Sequence, residues 1–258
     1  MGLKEKAHLV GAAARVLAID RDPEQWMSLR EADFYRRMKI PTVSLRELIA
    51  EIGEASSVSI PGPNVQTKEM GGTVGYFVIG AVARAKQPKT VVEFGTYLGV
   101  GTLTLAMNAP SDSRIFTIDL PEDFQPQDRA DWKFVESSRH RVGERFLCQS
   151  KFVERIVQLR ADSRTLRLAD HVKTADLILI DGGHTYEIVK ADTENAMSVR
   201  APDGVILWDD YAIFWEDHVV RYLDSLIDGG LKLRRIEGTG MVAGVPRTSS
   251  RQIRTLEP

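Results

Sequence analysis

From Thr90 onward the chain alternates short apolar runs with longer helical patterns. The runs are Thr90–Phe94 (TVVEF), Arg114–Leu120 (RIFTIDL), Ile156–Leu159, Leu177–Ile180 and Val205–Trp208. Each has the length and β-branched content of a buried strand. Helical spacing follows at Thr102–Met107, Glu144–Phe152, from Tyr186 onward and at Phe214–Leu226, with Pro202-Asp203-Gly204 reading as a turn. Strands alternating with helices predict an α/β fold, a mostly parallel sheet covered on both faces. Leu231–Ile236 and Met241–Val245 flank Glu237-Gly238-Thr239-Gly240, which reads as a tight hairpin and predicts one antiparallel edge strand.

The N-terminal part has a different texture. Residues 1 to about 55 read as helices: Leu9, Ala12, Val16 and Leu17 share a face, a second helix runs from Pro23 to Met38, and a third from Ser44 to Ile52. Ser44 with Glu47 three positions later is a capping box. These helices predict an appendage over residues 1–60, ahead of a main domain over 61–258. Its aromatic residues Trp26, Phe34 and Tyr35 suit core packing, a substrate mouth or a subunit interface. Ala55–Gly72 is a Pro/Gly-containing loop, either a cover for a site or a plain connector, and Thr73–Lys86 returns to helical spacing. Pro121–Arg139 is polar and too long for a simple connection, which predicts a lid-like insertion. The tail after Pro246 is expected to fray.

The chemistry gathers where strands end. Leu177–Ile180 ends at Asp181, and Val205–Trp208 ends at Asp209 and Asp210. A strand–helix–turn–strand unit makes these strands parallel neighbours, so both acidic ends reach the side where open α/β sheets bind ligands. Three converging carboxylates call for a cation, and an all-oxygen set suits Mg²⁺ or a similar hard ion. His184 lies in the loop or first turn before the next helix, where the helix N-terminus favours a neutral imidazole and the carboxylates favour a charged one. Read singly, Asp181 and Asp209 are solvated strand ends, Asp210 a helix cap and His184 a packed side chain. Read as a set on paired strands, they form a site.

Other strand ends add to it. Glu93 precedes Gly95-Thr-Tyr-Leu-Gly-Val-Gly101, a strand–turn–helix junction that lets a backbone approach a ligand closely. The glycines at 95, 99 and 101 fit neither the dinucleotide spacing nor a P-loop. Asp119 ends the second strand, where an acid accepts from a ribose diol of any ribonucleoside cofactor. Asp162 either accepts from an adenine amino group or, with Ser163, caps the next helix.

Composition narrows the classes. A formal net charge of −2 leaves no charge-based grip on nucleic acid. The single cysteine, Cys148, excludes an internal disulfide and a cysteine-rich zinc site. No apolar run reaches membrane-spanning length and no clear signal-peptide pattern opens the chain, so a cytoplasmic protein without membrane or nucleic-acid partners is expected. The helical N-terminus offers a dimerisation surface, which predicts a homo-oligomer.

VVEFGTYLGVGTLTLA resembles motif I of class I S-adenosylmethionine-dependent methyltransferases, most like the catechol and caffeoyl-CoA type with its E-x-G-x-x-x-G turn. FTIDL resembles their ribose-binding strand end, and the closing hairpin is similar to that of their Rossmann-like, doubly wound seven-stranded sheet with a reversed last strand. IDGGHTYE…VKAD…APDGVILWDDY resembles bacterial O-methyltransferases that modify macrolide sugars. Asp210 stands where the catechol type usually has Asn, a departure that favours the sugar-modifying relatives. The resemblance spans roughly residues 60 to 246. It implies S-adenosylmethionine held by Glu93, Gly95, Tyr97, Gly99, Asp119, Asp162 and Asp181. It also implies Mg²⁺ on Asp181, Asp209 and Asp210, His184 as the base, and a hydroxylated small molecule as acceptor, a sugar or diol of a natural product. The alternative is a non-catalytic cofactor-binding subunit of a natural-product modifying complex, against which the intact acid–histidine set argues. An NAD-dependent oxidoreductase is disfavoured by the glycine spacing.

Overall fold

The computed structural model of the chain describes residues 38–62, 73–125, 141–144, 150–211, 217–228 and 231–245. The chain divides into a unit over Met1–Lys39, of which only Met38 and Lys39 are described, and a unit over Ile40–Pro258. The expected helices before Met38, residues 63–72 of the loop read over Ala55–Gly72, residues 126–139 of the insertion read over Pro121–Arg139 and the tail after Pro246 lie outside the described residues.

Eight strands form one sheet: β1 (Thr42–Val43), β2 (Thr90–Phe94), β3 (Arg114–Asp119), β4 (Ile156–Arg160), β5 (Ala175–Ile180), β6 (Arg200–Trp208), β7 (Leu233–Ile236) and β8 (Val242–Gly244). Their spatial order is β1-β7-β8-β6-β5-β2-β3-β4, and only β8 pairs antiparallel to its neighbours. The helices are α1 (Leu45–Ile52), α2 (Thr73–Lys86), α3 (Val100–Asn108), α4 (Ser150–Val153), α5 (Tyr186–Val199) and α6 (His218–Asp228). This is the doubly wound, mostly parallel Rossmann-like architecture expected, with one strand more than seven.

Period-two alternation sorts the sheet into two faces. Leu177, Leu179, Val205 and Leu207 join Leu48 of α1, Val78, Ile79 and Val82 of α2, and Leu105 of α3 in one core. The alternate residues face the other layer, where the Trp208 Nε1–H donates to Thr193 Oγ1 of α5 at 3.0 Å. Tyr186 of α5 meets Tyr222 of α6 edge to face, ring centres 5.3 Å apart.

Three expectations change. The reversed strand β8 lies inside the sheet, not at its edge, because β7 folds outside it and pairs with β1. The residues explain the order: Val242, Ala243 and Gly244 are small and fully buried, whereas Arg234 and Arg235 of β7 reach outward, Arg234 to Glu51 and Arg235 to Thr42. Pro202-Asp203-Gly204 is not a separate turn but an irregularity within β6. Ala175 pairs with Arg200 and Leu177 with Val205, so the intervening residues bulge, closed by Arg200 Nε–H donating to the Gly204 carbonyl at 2.8 Å. The third concerns residues 40–60, which the helical pattern groups with the appendage. They contribute β1 to the sheet and α1 to the core, with Leu48 fully buried. The Ser44–Glu47 capping box that starts α1 is formed as read from the sequence.

Leu48→Ala should therefore destabilise the domain by about 2–5 kcal/mol, measured as a shift in denaturant midpoint. A loss below about 1 kcal/mol would place α1 outside the core.

Candidate active site

A run of backbone hydrogen bonds joins the strand ends. The N–H of Gly95 donates to the Ile118 carbonyl, that of Asp181 to Phe94, that of Asp209 to Ile180 and that of Ala161 to Asp119, all at 2.9–3.0 Å. Each donor is at or just past the end of its strand. Pairing of Phe94 with Ile180 and of Ile180 with Trp208 carries the register up to this level. With neighbouring strands about 4.8 Å apart, Gly95, Asp181 and Asp209 emerge side by side.

Asp181 stands just past the end of β5 with part of its surface open to solvent. Its crowded surroundings, then the charges of Asp209, Asp210 and Glu93, push its carboxyl well above the usual range. Burial and the Asp210 charge raise Asp209 to about 6. Asp210 takes a left-handed backbone, φ 64°, rare for a residue with a side chain. That twist lets its N–H donate to Asp209 Oδ1 at 2.8 Å while its own Oδ2 lies 2.7 Å from His184 Nε2. Thr185 caps α5, so His184 stands one residue before a helix N-terminus.

The turn after β2 is built around close contacts. Gly95 has φ 91°, and a side chain there would overlap the Asp181 carbonyl. Gly99, φ 86°, starts α3, and Tyr97 is left-handed at φ 45°. Asp119 accepts from the Tyr97 N–H at 2.7 Å and from the Leu120 N–H at 2.8 Å, which ties the turn to the end of β3. Burial raises the Asp119 carboxyl. Glu93 is turned inward: it accepts from Thr102 and, at 2.6 Å, from Thr117, and it lies against Gly101. It shapes the turn from below, and burial raises it to about 7. Asp162 accepts from the Arg164 side chain at 2.6 Å and from its backbone N–H at 3.0 Å, which holds its carboxyl below the usual range.

Residues 92–211 match the family model described as a methyltransferase domain. Over that span the chain is similar to methyltransferase domains. Cofactor-bound Rv0187 from MTB is similar to the chain at 20% identity and TM-score 0.54, covering 92% of this chain and 96% of its own. The S-adenosylhomocysteine-bound Podospora anserina methyltransferase PaMTH1 is similar at 16% and 0.52, covering 88% and 97%. The O-methyltransferase TomG from Streptomyces achromogenes, in complex with S-adenosylmethionine, is similar at 15% and 0.50, covering 88% and 99%. At these identities the likeness is one of fold. No curated protein matches the sequence significantly.

Within the matched residues, the three carboxylates have the donor chemistry of a hard-cation site: all oxygen, on adjoining strand ends, with Asp209 and Asp210 adding to the raised proton affinity of Asp181. As they stand, no three His, Cys, Asp or Glu side chains among the described residues close on a common point, and Asp210 is engaged by His184. The sequence reading missed three contributors. Tyr76, on the first turn of α2, has its phenol held protonated by burial and then by the charges of Asp181, Glu93 and Asp209. Tyr211 is fully buried behind Asp210; its N–H donates to the Gly240 carbonyl and its hydroxyl to Asp224 at 2.7 Å. Asp192 is buried in α5. Only Asp192 had a readable signal: it shares the face of Val189, Ala196 and Val199, where a carboxylate is out of place.

Gly95→Ala should abolish binding of S-adenosylhomocysteine by calorimetry, since no left-handed alanine fits against Asp181; wild-type affinity would contradict this geometry. Glu93 and Asp192, each raised to about 7 by burial, hold more protons folded than unfolded between their ordinary carboxylate range and pH 7. Stability should therefore fall as pH climbs through that window and level off above it. Melting temperatures should show a shallower fall for Glu93→Gln than for wild type; an unchanged slope would remove Glu93 as a source.

Proposed function

We propose that the domain is an O-methyltransferase that moves the methyl group of S-adenosylmethionine to a hydroxyl of a small molecule, a sugar or diol of a natural product. The observation that carries this reading is the His184–Asp210 pair at 2.7 Å beside the acidic ends of β5 and β6. The Asp210 carboxylate, 2.7 Å from Nε2, orients the ring and would stabilise the imidazolium formed when His184 takes up a proton. His184 then takes the acceptor hydroxyl's proton as the oxygen attacks the methyl carbon and the sulfur leaves as a thioether. The sulfonium is already activated, so the protein supplies orientation and the deprotonated nucleophile. Glu93 and Asp119 fix the turn from Gly95 to Gly99 on which the cofactor lies. Asp119 would accept from its ribose, and Asp162 would stand near the adenine. TomG, whose structure is described as involved in tomaymycin synthesis, supports a natural-product acceptor.

Asp181, Asp209 and Asp210 would hold a magnesium ion, which when bound favours the alkoxide form of the acceptor. The closed His184–Asp210 pair favours a second reading, in which the histidine and its acid activate the acceptor unaided. The protein acts in the cytoplasm as a homo-oligomer, without nucleic-acid or membrane partners; no described helix is long and apolar enough to cross a membrane.

Methyl transfer to a panel of sugars, catechols and other diols tests the proposal, and cofactor binding with no transfer to any acceptor would contradict it. His184→Ala should lower kcat by about 10²–10⁴ and leave cofactor affinity nearly intact; unchanged kcat removes His184 from the mechanism. EDTA should abolish turnover and Mg²⁺ restore it, whereas full activity after rigorous chelation would select the unaided pair.

A further inference from the structure

Helix α5 presents a buried polar stripe to the strand-end loops. Thr193 accepts from Trp208, the last residue of β6 before Asp209. Asn195 Nδ2 donates to the Ser163 carbonyl at 2.9 Å, and its Oδ1 accepts from the Leu168 N–H at 3.0 Å, so it holds the segment after β4. Asp192 precedes both on the helix. It is 2% exposed, and its carboxyl lies close enough to the Ser163 side chain for that hydroxyl to oppose the rise that burial gives its proton affinity. Its Oδ2 fills the space beside Gly182, 2.8 Å from where a Cβ would stand on that residue. Its Oδ1 is buried with no hydrogen-bond partner among the described residues.

A buried carboxyl with an unsatisfied oxygen costs stability, and an apolar side chain of the same shape would serve the core better. Packing alone therefore gives no account of Asp192. Its contacts do: Ser163 follows Asp162 in the loop after β4, and Gly182 follows Asp181 in the loop after β5. One carboxyl thus lies against both the loop after β4 and the loop after β5, two strands that β2 and β3 separate in the sheet. Gly182 has no side chain at the point where that carboxyl arrives.

We propose that Asp192 is a positioning residue for the methyl donor, holding the Asp162–Ser163 loop and the Asp181–Gly182 loop in the single arrangement that accepts the cofactor. This rests on the cofactor half of the function proposed above and is independent of the metal. Asp192 acts from behind the loops; Ser163 and Gly182 transmit its position.

The test is calorimetry of S-adenosylhomocysteine with the full chain, run well below the melting temperature of each variant. Asp192→Ala should weaken binding about tenfold or more, while Asp192→Asn, which keeps the shape of the side chain against both loops, stays within about threefold of wild type. Gly182→Ala should weaken binding by pushing a methyl against Asp192, and the double variant should be no weaker than Asp192→Ala alone, because both changes break one contact. A purely structural role predicts a lower melting temperature with unchanged affinity in the folded variants, and that result overturns the proposal. So do multiplicative losses in the double variant. If Asp192→Ala does not fold, Gly182→Ala decides: wild-type affinity in that variant also overturns it. Failure of the wild-type chain to bind S-adenosylhomocysteine would instead contradict the cofactor reading itself.

Discussion

Everything functional in this domain depends on the register of three parallel strands. Phe94, Ile180 and Trp208 are paired across β2, β5 and β6, and the next residue of β5 and of β6 donates its N–H to the neighbouring strand's last carbonyl. A slip of one residue would turn each acidic side chain to the opposite face and move the glycine turn away from Asp181. The apolar runs beneath enforce the alignment, since Leu177, Leu179, Val205 and Leu207 must face one core. Hydrophobic burial, which knows nothing of chemistry, thereby fixes where the carboxylates stand.

Around that frame the chain keeps several polar groups in places that oppose stability. Glu93 is buried and satisfied by two threonine hydroxyls; Asp192 is buried and half satisfied. Asp210 adopts a left-handed backbone that few non-glycine residues tolerate. Each of these three lies at or directly behind a strand end. The left-handed Gln87 and Arg84 Nε, unpartnered among the described residues, come before the start of β2 and are the counterparts at the other end of the sheet.

Much of this was legible in the sequence because it is local. The bounds of α2 and β2, the capping box at Ser44 and the acidic strand ends all follow from spacing within a few residues. Non-local features were not. β1 is two residues long, too short to show a period, and exists only because β7 offers it an edge. The place of β8 inside the sheet follows from a contest between two hairpin strands for β6, decided by small buried residues against paired arginines. The His184–Asp210 bond needs the φ of Asp210, which no pattern of polar and apolar positions signals. The resemblance of the glycine turn to motif I named the chemistry, and the strand-end ladder explains why those residues meet.

The central claim is that this ladder sets a methyl donor beside the acid–histidine group. A crystal structure of the chain with S-adenosylhomocysteine tests it most directly. The account predicts the cofactor along Gly95–Gly99, its ribose hydroxyls on Asp119 and its sulfur turned toward Asp181 and His184. A sulfur facing away from that group, or a cofactor lying off the glycine turn, would contradict it.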